Sequence, residues 1–204
     1  MQPEVLREAL GSICAELQLE MSAATLDRLL AYLSLLQRWN ATYNLTAVRD
    51  PALMWVQHVL DCLAVVPELL AWRATLSPAT ARLRVLDVGS GGGLPGVVWA
   101  IALPDLDVHC VDTVGKKAAF IRQVAAELQL TNLRAHHSRV EQLRERPFDL
   151  VTSRAFSSLA DLLALTTLWC ILLTRRLGQL RVDRGDVAVR HGAKARGEGA
   201  DDHA

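Results

Sequence analysis

Residues 84–100 read RVLDVGSGGGLPGVVWA and place five glycines in the eight residues of GSGGGLPG, Gly89 to Gly96. Clustered glycines carry a backbone-entropy cost, so they mark a place where something must approach the main chain closely. An apolar run before the glycines and another after them predict a strand, a loop and the start of a helix. That arrangement aims backbone N–H groups at a nucleotide-like ligand. A phosphate-clamping Walker loop is excluded, because it ends in Gly-Lys-Ser/Thr and this one ends Leu94-Pro95-Gly96. Gly91, Gly93 and Gly96 do satisfy the spacing of a dinucleotide fingerprint, which would suit an NAD(P)-dependent oxidoreductase. Asp87, two residues before Gly89, favours a third ligand. A carboxylate there can face the cationic end of S-adenosylmethionine, whereas beside a pyrophosphate it would be repelled. Asp112, ending DVHCVD, is placed to take ribose hydroxyls in either ligand.

Other groups carry weaker signals. Lys116 and Lys117 open the next helical segment and read as a solvated face. Glu141 in SRVEQL either approaches an adenine ring or is an ordinary first-turn acid. Arg154 in TSRAF stands where a strand end could meet a planar or anionic substrate, or an ion-pair partner. His58 and Asp61 are three apart on the helix face opposite its leucines, and with no nucleophile beside them they read as structural. His136-His137 lacks partners at metal-ligand spacing, so no metal is assigned. Cys14, Cys62, Cys110 and Cys170 form no CxxC pair and read as buried apolar residues of a reducing compartment.

The elements that must position these groups follow from periodicity. Leu6, Leu10, Ile13 and Leu17 mark one helix; Leu26, Leu29, Leu30, Leu33 and Leu36 mark a second, capped by Ser22. RWNATYNLTAVRD interrupts the pattern, and Asp50-Pro51 starts a third helix whose buried stripe should be Leu53, Val56, Leu60 and Leu63. RATLSPATAR is then a linker. LRVLDV, DVHCVD, NLRAHH and FDLVTS predict four strands alternating with helices over Val97–Leu103, over the segment carrying Ala118, Ile121, Val124, Ala125 and Leu128, and over SSLADLLALTTLWCILL, with RVEQL a short helix or turn. That alternation means a mostly parallel α/β sheet. GQLRVDRGDVAVR suggests a hairpin about RGD, with Leu180/Val182 against Val187/Val189. The expected organisation is a helical region over 1–75, a cofactor-binding domain over 82–190 and a disordered tail over 191–204. Lys+Arg and Asp+Glu are equal at 22 each, so any nucleic-acid surface must be a local basic patch. No apolar run is read as approaching the roughly 18–20 residues of a membrane span, the longest, LADLLALTTLWCILL, being short and containing Asp161, so a soluble intracellular protein is expected.

Taken in order, WNATYNLTAVRD, HVLDCL, LDVGSGGGLPG, VDTVGKKAAFI, SRVEQL and SRAFSSL resemble, over about residues 20–165, the bacterial 16S ribosomal RNA guanine-N7 methyltransferases, also called glucose-inhibited division protein B. The resemblance implies a Rossmann-like class I methyltransferase, a mostly parallel sheet with helices on both faces, behind an N-terminal helical cap. It implies S-adenosylmethionine as cofactor, with Gly89, Leu94, Val140, Glu141 and Arg154 contacting it; Asp87, Gly91, Gly93 and Asp112 join them from the loop chemistry. It implies the small ribosomal subunit's 16S rRNA as substrate and a cytoplasmic location, with a monomer the default and no membrane or metal partner. Guanine N7 has a lone pair and no proton, so no general base is expected, and positioning carries the chemistry. Asn44, Arg49, Lys116, Lys117, Arg122 and Arg154 are expected along the RNA-facing rim. After about Leu173 the resemblance is expected to fail, and the composition turns to Arg, Gly, Asp and Ala. That change suggests a shifted reading frame, incomplete C-terminal sheet strands, and, as an alternative function, a catalytically impaired relative that binds cofactor or RNA.

Overall fold

The computed structural model describes residues 3–76 and 82–154, and the backbone of 172–175 and 178–181. Helix α1 (Pro3–Glu16) packs against helix α2 (Ala23–Tyr43). Ser22 caps α2 as its type predicts, its Oγ accepting from the Thr25 amide at 3.1 Å. The helix runs on through Trp39 and Asn40 and ends only at Asn44, which takes the left-handed conformation at φ 50°.

The third helical stretch departs from its expected stripe. It comprises α3 (Pro51–Met54), a π turn (Trp55–Leu60), α4 (Asp61–Leu63) and α5 (Val66–Ala74), with Asp50 Oδ1 accepting from the Ala52 amide at 2.8 Å. Of the four predicted stripe residues only Leu63 is buried; Leu53 and Val56 are 48% and 50% exposed. Met54, Trp55, His58, Val59, Cys62 and Leu63 face inward instead. The Asp61 amide bonds to the Val56 carbonyl, five residues back, so the turn is wider than 3.6 residues and the i, i+4 rule loses its phase. His58 therefore lies on the buried face, not opposite it. The run Pro51–Ala74 is also long and apolar enough to cross a membrane by length and composition, which the sequence reading misses; here its buried side packs on α2 and the later helix α6, and a core helix passes the same test.

Strands β1 (Arg84–Val88), β2 (Asp107–Asp112), β3 (Leu133–His137) and β4 (Leu150–Thr152) form one parallel sheet in the order β3-β2-β1-β4. Val85, Leu86, Asp87 and Val88 are all buried, as expected for a parallel strand covered on both faces. Helices α6 (Gly96–Ala102) and α7 (Gly115–Glu127) both pack on the face carrying Asp87, Cys110 and Asp112. Strand order reverses between β1 and β4, so the ligand crevice of such a sheet opens at the carboxyl ends of these two strands. The glycine loop follows β1 there, and Arg154 follows β4.

One hydrophobic cluster joins the N-terminal helices to the sheet domain and includes Leu10, Leu29, Leu36, Val97, Trp99 and Phe120. The Trp99 indole donates to the Cys62 carbonyl at 3.0 Å, fixing α6 to the third helical stretch. Cys14, Cys62 and Cys110 are buried free thiols; Cys170 lies outside the described residues. β5 (Leu172–Arg175) and β6 (Gly178–Arg181) pair antiparallel, with Leu173 opposite Leu180. This hairpin precedes the one expected about the RGD, and Leu172–Leu173 belong to a strand where the sequence predicts a helix. A short apolar run such as CILL fits either element by pattern alone. The rest of the expected helix, the RGD segment and the 191–204 tail lie outside the described residues.

Candidate cofactor site

Two close approaches explain the glycine loop. At Gly93, φ is 88°, and a Cβ would stand 2.3 Å from Val97 Cγ2. At Gly96, the first residue of α6, a Cβ would stand 2.5 Å from Cys110 Sγ and 2.9 Å from Asp87 Oδ2. The helix thus begins directly against β1 and β2, the contact that the last glycine of such loops permits.

Asp87 lies beneath that helix start, fully buried. Its Oδ2 accepts from the Gly96 amide at 3.0 Å; its Oδ1 is buried with no hydrogen-bond partner among the described residues. Burial pushes its pKa up to about 7, against the Gly96 amide and the Arg154 charge, which pull it down. Ser90 Oγ, three residues on, is buried beside the Cys110 thiol, with no closer hydrogen-bond partner among the described residues. The orphaned Asp87 Oδ1 and the Ser90 hydroxyl, beside a glycine-rich loop, fit a polar, cationic ligand group such as the methionine end of S-adenosylmethionine.

Asp112 ends β2 and organises the other side of the crevice. Its Oδ2 accepts from the Gly91 amide at 2.9 Å and its Oδ1 from the Val114 amide at 2.8 Å. Lys117 Nζ stands 3.8 Å from the same Oδ2, so this lysine turns toward the crevice, while Lys116 is exposed. Gly89 is held by its amide bond to the Val111 carbonyl at 2.8 Å. Leu94 and Val140 are buried; Glu141 is exposed beside Val140 on a 3-10 turn (Val140–Gln142) that follows β3.

Arg154 reaches back to the π turn. Its guanidinium pairs with Asp61 Oδ2 at 3.1 Å and donates to the Gln57 carbonyl at 3.0 Å, with Cys62 Sγ 3.4 Å away. The ion-pair reading of Arg154 is thus realised, and Asp61 is its partner rather than that of His58. His58 Nε2 instead meets Thr46 Oγ1 at 2.9 Å, and burial lowers its pKa, so the ring is neutral near pH 7. Thr46 is held in turn by Asn40, whose Oδ1 accepts from the Thr46 amide at 2.8 Å and whose Nδ2 donates to the Val48 carbonyl at 3.1 Å. This network fixes the loop bearing Asn44 and Arg49, both exposed and joined by a 3.2 Å hydrogen bond. Arg122 is exposed and its guanidinium lies 3.4 Å from the Ala135 carbonyl.

Sequence reasoning misses Tyr32, whose hydroxyl donates to the Gly92 carbonyl at 2.7 Å, and the Asn40–Thr46–His58 network. The available signal was a tyrosine on the apolar face of α2, since a buried phenol needs a partner. It also misses the neighbours of His136. Side-chain donor atoms of His136, His109 and Glu145 lie within 4.8 Å of one another, although chain spacing gave His136 no partner. The two rings are nearly parallel, at 10°, with centroids 5.1 Å apart and His109 Nδ1 2.9 Å from His136 Nε2. Those values describe two rings meeting edge to edge in an N–H···N hydrogen bond. Burial lowers both pKa values, which keeps the pair neutral.

The family model for rRNA small subunit methyltransferase G matches residues 25–196, so the family match does not end at about Leu173 as the sequence predicts. The ribosomal RNA small subunit methyltransferase G of Leptothrix cholodnii is 56% identical over 166 residues, covering 81% of this chain and 73% of its own. That of Methylibium petroleiphilum is 53% identical over 163 residues, covering 80% and 72%. Among solved structures, coclaurine N-methyltransferase aligns over 84% of this chain and 56% of its own at 14% identity with a TM-score of 0.42, too distant to carry an argument. Both curated relatives are named methyltransferases, and nothing supports the oxidoreductase reading of the loop.

Proposed function

We propose that this chain, which belongs to the rRNA small subunit methyltransferase G family, transfers the methyl group of S-adenosylmethionine to N7 of one guanine in 16S rRNA. It is an S-adenosylmethionine-dependent rRNA methyltransferase of Rossmann-like fold; the atom and the nucleotide class are the proposal. The observation that carries it is Asp87, a buried carboxylate whose Oδ1 has no hydrogen-bond partner among the described residues, under a glycine-rich loop.

In this reading Gly89, Gly91 and Gly93 let the methionine end lie against the backbone, and Asp87 faces its cation. Asp112 receives the ribose hydroxyls, Val140 and Glu141 flank the adenine, and Leu94 and Arg154 complete the enclosure. The cofactor, when bound, supplies an electrophilic methyl group on a sulfonium. Guanine N7 presents a free lone pair, so this chain's residues need hold no proton-accepting base at the reacting atom. Their task is to align N7 with the methyl carbon near contact distance, which by itself can supply about 7–11 kcal/mol of the barrier. Asn44, Arg49, Lys116 and Arg122 are exposed cationic or amide groups suited to an RNA rim, and Lys117, turned to Asp112, stands between rim and cofactor. The protein acts as a cytoplasmic monomer on the small ribosomal subunit or its RNA, without a metal.

The test is methyl transfer from labelled S-adenosylmethionine to small ribosomal subunits lacking N7-methylguanosine, with the product located by N7-specific strand cleavage. Label at one guanine N7 is expected. Label at another atom overturns the proposal, and cofactor binding without transfer would mark a catalytically impaired relative.

A further inference from the structure

We infer that Tyr32, in the helical cap, is a positioning residue for the cofactor loop, its hydroxyl holding the Gly92–Gly93 peptide in the orientation that receives the cofactor. This rests on reading residues 89–96 as that loop. The phenol is fully buried and donates to the Gly92 carbonyl at 2.7 Å. Burial pushes its pKa well above the ordinary tyrosine value, so the hydroxyl keeps its proton and remains a donor.

In a trans peptide the carbonyl and the following N–H point in opposite directions. Here the Gly92 carbonyl is held by Tyr32, and the Gly93 amide donates to the Ser90 carbonyl at 2.7 Å. Both ends of one peptide plane are thus tied, one to the loop and one to α2. Leu36, four residues after Tyr32, rests on the same point: a Cβ on Gly92 would lie 2.9 Å from Leu36 Cδ1. Phe120 of α7, 6.4 Å from the Tyr32 ring centroid, backs the phenol from the other side.

Without the hydroxyl, the buried Gly92 carbonyl loses its partner. Rotating the peptide to relieve it would break the Gly93–Ser90 bond, so the receptive conformation loses population. Apparent cofactor affinity falls by the same fraction, roughly fivefold to thirtyfold. Turnover at saturating cofactor is unchanged, because Tyr32 acts only through the loop.

The experiment is calorimetry with S-adenosylhomocysteine, paired with methyl-transfer kinetics, on wild type, Tyr32→Phe, Tyr43→Phe and Leu10→Ala. Tyr43 is exposed, and Leu10 is buried in α1, so the last two report phenol loss elsewhere and lost stability alone. Tyr32→Phe should weaken binding and raise KM for S-adenosylmethionine by roughly fivefold to thirtyfold, with kcat within about twofold. The two controls should keep wild-type affinity. Wild-type affinity in Tyr32→Phe, or an equal loss in Leu10→Ala, overturns the inference. If wild type itself binds no S-adenosylhomocysteine, the loop reading fails instead. Should Tyr32→Phe not fold, the chain's two tyrosines still allow a test. In a Tyr43→Phe background, 3,5-difluorotyrosine at position 32 is a stronger donor; altered affinity supports the inference and unchanged affinity overturns it.

Discussion

Replacing Asp87 by Asn should remove the part of the protein's pH-dependent stability that this buried carboxyl contributes. An unfolded aspartate ionises at roughly 3.9, while burial pushes the folded Asp87 up to about 7. Between those values the folded state binds a proton that the unfolded state has released. Stability is therefore fully present below about pH 4 and is lost as pH rises through about 7. The slope is about 1.4 kcal/mol per pH unit, or about 4 kcal/mol across the window. Asparagine keeps an oxygen for the Gly96 amide, and its unpartnered NH2 adds a cost of about 1–3 kcal/mol that does not vary with pH. The slope is therefore the diagnostic quantity. Urea unfolding of wild type and Asp87→Asn at several pH values from 4 to 8 should show wild type the more stable by about 1–3 kcal/mol at the acid end, with the difference changing by about 4 kcal/mol in the variant's favour by the other. Parallel curves would refute the buried, proton-holding carboxyl. The variant should also bind S-adenosylmethionine far more weakly.

Gly96→Ala gains about 1 kcal/mol of helix propensity but forces a Cβ against Cys110 Sγ and Asp87 Oδ2, at 2.5 and 2.9 Å. Overpacking against two buried strands should win, with a net loss of about 2 kcal/mol in urea unfolding; a neutral substitution would show that α6 can move. Asp61→Asn breaks the pair with Arg154, but both side chains are about one-third exposed and Arg154 keeps the Gln57 carbonyl. The expected cost is under about 1 kcal/mol, read from the unfolding midpoint, and a several-fold larger loss would mean a desolvated pair.

Much of the fold is legible because its signals are local. β2 is DVHCVD as read, and Ser22 and Asp50 cap helices by side-chain chemistry that needs no distant partner. The stripe Leu53, Val56, Leu60 fails because the π turn changes the period within which a stripe is defined. The helix expected through Leu172–Leu173 fails because this short apolar run carries no pattern that separates strand from helix. In the site, Asp87 and Asp112 are legible from their distance to the glycines. What each carboxylate touches is not: Gly96 is nine residues from Asp87, and Gly91 is 21 from Asp112. Tyr32 meets Gly92 across 60 residues and His109 meets His136 across 27, contacts that only the packed sheet and cap bring about.

The central claim is that Asp87 faces the cation of S-adenosylmethionine held in the glycine loop. Calorimetric titration of S-adenosylmethionine at pH 7, in two buffers of different ionisation enthalpy, tests it directly. With a pKa of about 7, Asp87 is half protonated before binding, and a cation beside it should expel about half a proton per site. One-site binding with that release is the predicted result. Absence of binding, or binding with no proton released, would contradict the account.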